Sequence, residues 1–166
     1  MRNKVKIIAE AGLNHNGDFN KVIKLINIAK SAEVDYVKFQ LFKTENFINQ
    51  KFKNKNINYK KLYLRFKSLE FSLEKWKKAI DYANNIAINI FFSVFDKESF
   101  NILSKLKIKL IKIPSGEINN YDLLKKINGS RKKVILSTGM SNLFEIKKAL
   151  KCLNKCEVIL LHCVSE

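Results

Sequence analysis

Short runs of β-branched and aromatic residues recur along this chain, each separated from the next by a stretch whose apolar residues fall at helical spacing, and that alternation leaves few folds open. The strand candidates are Val5–Ala9, Tyr36–Phe39, Ile88–Phe92, Lys109–Ile113, Val134–Leu136 and Val158–Leu161. Between them, helical stripes are read at Val22, Leu25, Ile26 and Ala29; at Leu73, Trp76, Ala79, Ile80 and Ala83; and at Phe100, Leu103 and Leu106. Two more follow, at Leu123, Leu124 and Ile127 and at Phe144, Ile146, Ala149 and Leu150. Strand, helix, strand in regular succession implies parallel strands joined by right-handed crossovers. The one interruption, Leu41 to Lys67, is rich in lysine and asparagine and is read as a long loop, of the kind that is functional or poorly ordered.

Composition limits the class. With 166 residues, 46% hydrophobic, one core and one domain over 1–166 are expected. No apolar run reaches the roughly 18 residues of a membrane span, and the short apolar run after Met1-Arg2-Asn3-Lys4 is too brief for a signal peptide, so no membrane role and a cytoplasmic protein are expected. Cys152, Cys156 and Cys163 are odd in number and form no CxxC. The four-residue spacing of the first two could share a helical face; all three are read as ordinary thiols. The net charge of +17 raises nucleic-acid binding as a class. The basic residues, however, are spread over Lys51–Lys61, Lys75–Lys78, Lys105–Lys109 and Arg131–Lys133 without forming one stripe, so no nucleic acid is expected as a partner.

Two architectures fit the alternation, a doubly wound open sheet and a (β/α)8 TIM barrel. The first needs a glycine-rich dinucleotide turn after its first strand, and Gly12-Leu13-Asn14-His15-Asn16-Gly17 lacks the GxGxxG spacing. The barrel is favoured by polar residues at almost every strand's C-terminal end: Glu10, Lys38 with Gln40, Ser93, Lys112 with Ser115 and Glu117, Ser137, and His162 with Ser165. In a barrel such ends share one mouth. Six strands are countable and 166 residues fall short of the roughly 250 typical of the fold, so the barrel is read as truncated after about the sixth strand. Lys38 and Lys112 sit among apolar strand residues, where an ammonium is costly without an anion, and they point to an anionic ligand.

Five collinear segments carry a resemblance to a known family. Ala9-Glu10-Ala11-Gly12-Leu13-Asn14-His15-Asn16-Gly17, Val37-Lys38-Phe39-Gln40, Lys112-Ile113-Pro114-Ser115-Gly116-Glu117-Ile118-Asn119-Asn120-Tyr121, Leu136-Ser137-Thr138-Gly139-Met140-Ser141 and Leu161-His162-Cys163-Val164-Ser165 resemble, in order and spacing, the N-acetylneuraminate (sialic acid) synthases. Legionaminic and pseudaminic acid synthases and spore-coat polysaccharide synthases share these motifs. The resemblance implies condensation of phosphoenolpyruvate with an N-acetylated amino sugar, such as N-acetylmannosamine, to a nine-carbon 2-keto acid and phosphate. By the same resemblance Lys38, Lys112, Ser93, Ser115, Ser137 and Ser165 bind phosphoenolpyruvate, Glu117 is the acid/base group, Glu10 is counted with it among the catalytic residues, and Glu10 with Gln40 holds sugar hydroxyls. Phe92-Ser93-Val94-Phe95 departs from the family's Ser-Thr-Pro-Phe. His15 and His162 are read either as hydrogen-bonders supporting the residues that touch substrate or as core histidines, and not as metal ligands. The family's divalent ion, manganese or magnesium, is implied to be held by histidines on later strands that this chain does not contain. Its full-length members are implied to be homodimers, and the chain alone is expected to be inactive. The alternatives are another phosphoenolpyruvate-condensing or aldolase-type barrel enzyme, or a basic nucleic-acid-binding module.

Overall fold

The computed structural model describes residues 5–49 and 57–164. Its strands are β1 (Ile8–Gly12), β2 (Tyr36–Leu41), β3 (Asn89–Val94), β4 (Leu110–Ile113), β5 (Lys133–Ser137) and β6 (Val158–Leu161). They form one six-stranded sheet in sequence order, β1 to β6, and every pairing given a register is parallel. A doubly wound sheet reverses its strand order at a switch point; a strictly sequential parallel order is that of barrel-type α/β folds. The chain divides into two compact units, one made of residues up to Gln40 with Thr44–Phe91, the other of Leu41–Lys43 with the residues from Phe92 onward.

In the first unit β1 starts later than the apolar run suggests. Ile8 is the first residue in register with β2, opposite Tyr36, so Val5–Ile7 lie before the register starts, and Val5 is 80% exposed. Asp35 ties this segment down, its carboxylate accepting from Lys6 Nζ at 2.7 Å and from the Ile7 N–H at 2.9 Å. Helix α1 (Phe19–Ser31) buries Val22, Ile26 and Ala29, and Asp18 caps it by accepting from the Asn20 N–H. The segment read as a long loop contains two helices, α2 (Thr44–Phe47) and α3 (Ile57–Ser68), with residues 50–56 outside the described part. Glu45 on α2 accepts from Tyr63 Oη at 3.0 Å and Lys67 Nζ at 2.8 Å on α3, contacts that hold this polar sequence helical without a wide apolar stripe. Helix α4 (Leu73–Asn85) buries Trp76, Ala79, Ile80 and Ala83, as its periodicity predicts, and packs on α1, where Tyr82 Oη donates to Asn27 Oδ1.

The turn after β1 is shaped by its glycine and its histidine. Gly17 has φ +77°, and a Cβ there would stand 2.4 Å from the Ser68 carbonyl oxygen. His15 is wholly buried against Phe71, Trp76 and Phe39, with the Phe71 ring centroid 4.8 Å away. Its Nδ1 accepts from the Gly17 N–H at 3.1 Å, which leaves the proton on Nε2, and Nε2 has no hydrogen-bond acceptor among the described residues. His15 is therefore a neutral core residue that shapes the loop, and burial lowers its pKa.

In the second unit, helices α5 (Lys97–Ser104), α6 (Tyr121–Asn128) and α7 (Leu143–Cys152) alternate with the strands. Asp96 caps α5, Asn120 caps α6, and Asn142 with Glu145 forms a capping box on α7. Phe100 and Leu103 on α5 and Leu123, Leu124 and Ile127 on α6 are buried. The stripe read on α7 behaves differently: Ala149 is buried, whereas Leu143 and Phe144 are each 73% exposed. Cys152 and Cys156 do not share a helical face, because α7 ends at Cys152 and Cys156 turns its Sγ toward the Ile127 carbonyl. No helix among the described residues is long and apolar enough to cross a membrane.

Gly17→Ala is expected to lower stability by roughly 1–3 kcal/mol through backbone strain, with the Ser68 clash adding to it; a urea titration checks this by the shift in midpoint. For His15 the sign follows from the lowered pKa. The unfolded chain takes up its proton near the ordinary value of 6.5 and the folded chain only at lower pH, so the stabilisation is complete above 6.5 and is lost as pH falls toward the folded value. Replacing the titrating group, His15→Leu, should flatten the fall in urea midpoint between pH 7.5 and pH 5, whereas an equal slope in both proteins would contradict the assignment.

Candidate functional site

Alternation along each strand sorts polar from apolar residues. In β2, Val37, Phe39 and Leu41 are buried on one face, and Lys38 and Gln40 lie on the other. In β4, Ile111 and Ile113 are wholly buried on one face and Lys112 is on the other. Partners in parallel register share a face, so pairing extends this polar face sideways: Ser93 on β3 stands opposite Lys112, Lys112 opposite Ile135 on β5, and Ser137 two residues beyond Ile135 joins them.

The first unit contributes Glu10, Lys38 and Gln40. Glu10 is in register with Lys38, and its Oε2 meets Lys38 Nζ at 2.7 Å, with the lysine side chain 9% exposed and the glutamate 60%. Lys38 thus has a protein carboxylate as partner, and the carboxylate opens to solvent. A bulge between Glu10 and Gly12 shifts the register at the end of β1. Gly12, at φ +53°, has Gln40 Nε2 beside it, 3.9 Å from where a Cβ would stand.

The second unit brings together Ser93, Lys112 and Ser137 on one buried face, each less than a tenth exposed. Lys112 Nζ donates to the Ile113 carbonyl at 3.0 Å. After β4 the chain makes a 3-10 turn, Ser115–Glu117, that carries the next two groups. Ser115 Oγ accepts from the Gly139 N–H at 3.1 Å and lies 3.3 Å from Cys163 Sγ, so it connects the loops after β4, β5 and β6. Glu117 is half-buried and accepts from Asn120 Nδ2 at 2.8 Å. Burial, helped by the nearby Asp96 charge and opposed by the Asn120 hydrogen bond, pushes the Glu117 carboxyl above the usual carboxylate range. Such a group holds a proton to higher pH than a surface glutamate and can both give and take it. His162 is exposed, and Ser165 lies outside the described residues.

Two residues were not read as functional from the sequence. Asp96 is buried and accepts from the N–H groups of Lys43, Glu98 and Ser99 and from the Ser99 hydroxyl. Its signal was present, since an aspartate between a strand and a run with helical apolar spacing is a helix N-cap pattern. Cys163, read as an ordinary thiol, has its pKa pulled down to about 7, chiefly by the Ser115 hydrogen bond, with Ser137 and the Thr138 and Gly139 N–H groups adding to it against partial desolvation. Its partner is 48 residues away, so no local pattern marks it. Among the described residues no three His, Cys, Asp or Glu side chains come together as a metal site.

The chain is 44% identical over 174 aligned residues to the N,N'-diacetyllegionaminic acid synthase of Campylobacter jejuni, an alignment covering 98% of this chain and 52% of that protein. It is 30% identical to the pseudaminic acid synthase of Helicobacter pylori, covering 96% and 50%. Among solved structures, the N-acetylneuraminic acid synthetase of Leptospira borgpetersenii, crystallised with citrate, superposes with a TM-score of 0.88 at 34% identity over 99% of this chain and 55% of that one. The chain spans about half the length of the curated relatives it matches. Residues 25–166 match the NeuB family, and with similarity extending through both units this chain belongs to that family.

Proposed function

We propose that this chain is the phosphoenolpyruvate-handling part of an enzyme that condenses phosphoenolpyruvate with an N-acetylated amino sugar to give a 2-keto sugar acid and phosphate. The observation that carries the reading is the buried cluster on the polar face of the second unit: Lys112 with Ser93 in register beside it and Ser137 on the same face. A buried ammonium flanked by hydroxyls is chemically suited to a ligand bearing both a phosphate and a carboxylate. The names of the relatives support a sugar-acid product.

In this reading the vinyl carbon of phosphoenolpyruvate attacks the aldehyde carbon of the open-chain sugar. The aldehyde oxygen takes a proton, water adds to the resulting cationic carbon, and phosphate leaves with cleavage of its carbon–oxygen bond. Lys112, Ser93, Ser137 and Ser115 hold the anionic groups, with Ser165 as a further donor. The resemblance gives Lys38 the same kind of role, and its pairing with Glu10 sets the ammonium in place before substrate arrives. Glu117 moves the proton, since burial holds its carboxyl above the usual carboxylate range, which suits a group that must both give and take one. Glu10, whose carboxylate faces solvent, and Gln40 take the sugar hydroxyls.

Two variants of the full-length protein test the roles against each other. Lys112→Ala should weaken phosphoenolpyruvate binding by about 2–5 kcal/mol and leave amino-sugar binding nearly unchanged. Glu117→Gln should retain both ligands and lower turnover by roughly a hundredfold or more. Calorimetry with each substrate and a phosphate-release assay separate the outcomes: unchanged phosphoenolpyruvate affinity removes Lys112 from the site, and normal turnover reduces Glu117 to a charge at a helix start.

A further inference from the structure

Ser115 Oγ reaches the loops after both β5 and β6, and the direction of its hydrogen bonds is set by its neighbours. The Gly139 N–H can only donate, so at 3.1 Å it takes one lone pair of Ser115 Oγ. The remaining lone pair and the hydroxyl hydrogen are left, and Cys163 Sγ stands 3.3 Å away. When Cys163 is a thiolate it can only accept, and the Ser115 hydrogen is committed to sulfur. When Cys163 is a thiol, its S–H can donate to the second lone pair, and the Ser115 hydrogen is released to turn toward another acceptor. The two states present opposite faces of one hydroxyl to a ligand.

We infer that Cys163 is a positioning residue for Ser115: the thiol form frees the Ser115 hydroxyl to donate to an anionic oxygen of the substrate, and the thiolate form withholds it. This rests on the reading that Ser115 binds phosphoenolpyruvate. The groups acting on the sulfur are the Ser115 and Ser137 hydroxyls and the Thr138 and Gly139 N–H groups, all uncharged. The titratable side chains on its own and the adjoining strand segments are His162 just after β6, Lys112 on β4, Glu117 in the 3-10 turn, and the Lys133–Glu157 ion pair at the opposite ends of β5 and β6; the loop after β5 adds none from Ser137 to Asn142. Anion binding and Cys163 protonation are linked: each favours the other, so affinity for phosphoenolpyruvate falls as Cys163 loses its proton.

Iodoacetamide alkylation of Cys163, followed by peptide mass spectrometry in the full-length protein from pH 5.5 to 9, reads the thiolate directly and needs no turnover. Ser115→Ala should move the midpoint upward and slow alkylation at pH 7 by roughly three- to tenfold, because the thiolate loses a donor. Saturating phosphoenolpyruvate should slow wild-type alkylation and leave the Ser115→Ala rate unchanged. In calorimetry, wild-type affinity should fall between pH 6 and 8, whereas Cys163→Ser, which keeps a hydroxyl and removes the titration, should bind with a flatter pH profile. An unmoved midpoint in Ser115→Ala overturns the coupling itself, as does equal protection of wild type and Ser115→Ala, which would mean the ligand shields sulfur directly. Absence of phosphoenolpyruvate binding to the wild type overturns the substrate reading and the anion half of the inference, while the midpoint arm still decides whether Ser115 and Cys163 are coupled.

Discussion

Successive side chains of a strand point to opposite faces of the sheet, and this constraint governs where chemistry can sit in the NeuB chain. Lysine is tolerated on β2 and β4 because each ammonium lies on the face opposite the packed aliphatic layer. The Val37, Phe39, Ile111 and Ile113 side chains of that layer are 0% exposed. The polar face is correspondingly selective. Lys38 is matched by Glu10 in register, and Lys112 is flanked by Ser93. A one-residue slip in either register would exchange the two faces and bury an ammonium against aliphatic side chains, so the hydrophobic pattern that fixes the fold also fixes the site.

The loops follow from the strands by the same economy. Asp96 caps α5 with one carboxylate oxygen and accepts from the Lys43 N–H with the other, so one buried side chain ends β3, starts a helix and anchors the short segment Leu41–Lys43. Its charge then raises the pKa of Glu117. Ser115 similarly spans three loops. In the first unit the turn after β1 is held by the Gly17 backbone and buried His15, with no ligand required to explain either.

Strand identity was legible because β-branched runs are short and bounded; β2 to β6 fall within two residues of the sequence reading at each end. The miss at β1 is a pairing effect, since Val5–Ile7 have strand-like residues but the register with β2 starts only at Ile8. Helix α3 was missed because it carries no wide apolar stripe: Tyr63 is its buried residue, and it meets α2 through Tyr63 and Lys67 on Glu45 and Phe66 on Phe47. Phe144 was placed in a core by spacing alone, and spacing cannot say whether anything covers a helix face. Among the candidate residues, the strand placement of Lys38, Lys112 and Ser93 could be read from their apolar settings and motifs. Cys163 could not, because its character comes from a contact made only in three dimensions, as does the pairing of Lys38 with Glu10.

The central claim is that the polar face of β3 to β5 receives an anionic substrate at Lys112. Side-chain NMR of lysine-labelled full-length protein tests it most directly, by following the Lys112 Nζ and ε-methylene resonances during titration with phosphoenolpyruvate. The account predicts a saturable shift at Lys112 with phosphoenolpyruvate and none with N-acetylmannosamine alone. Saturable binding that leaves Lys112 unmoved and shifts only surface lysines would contradict it.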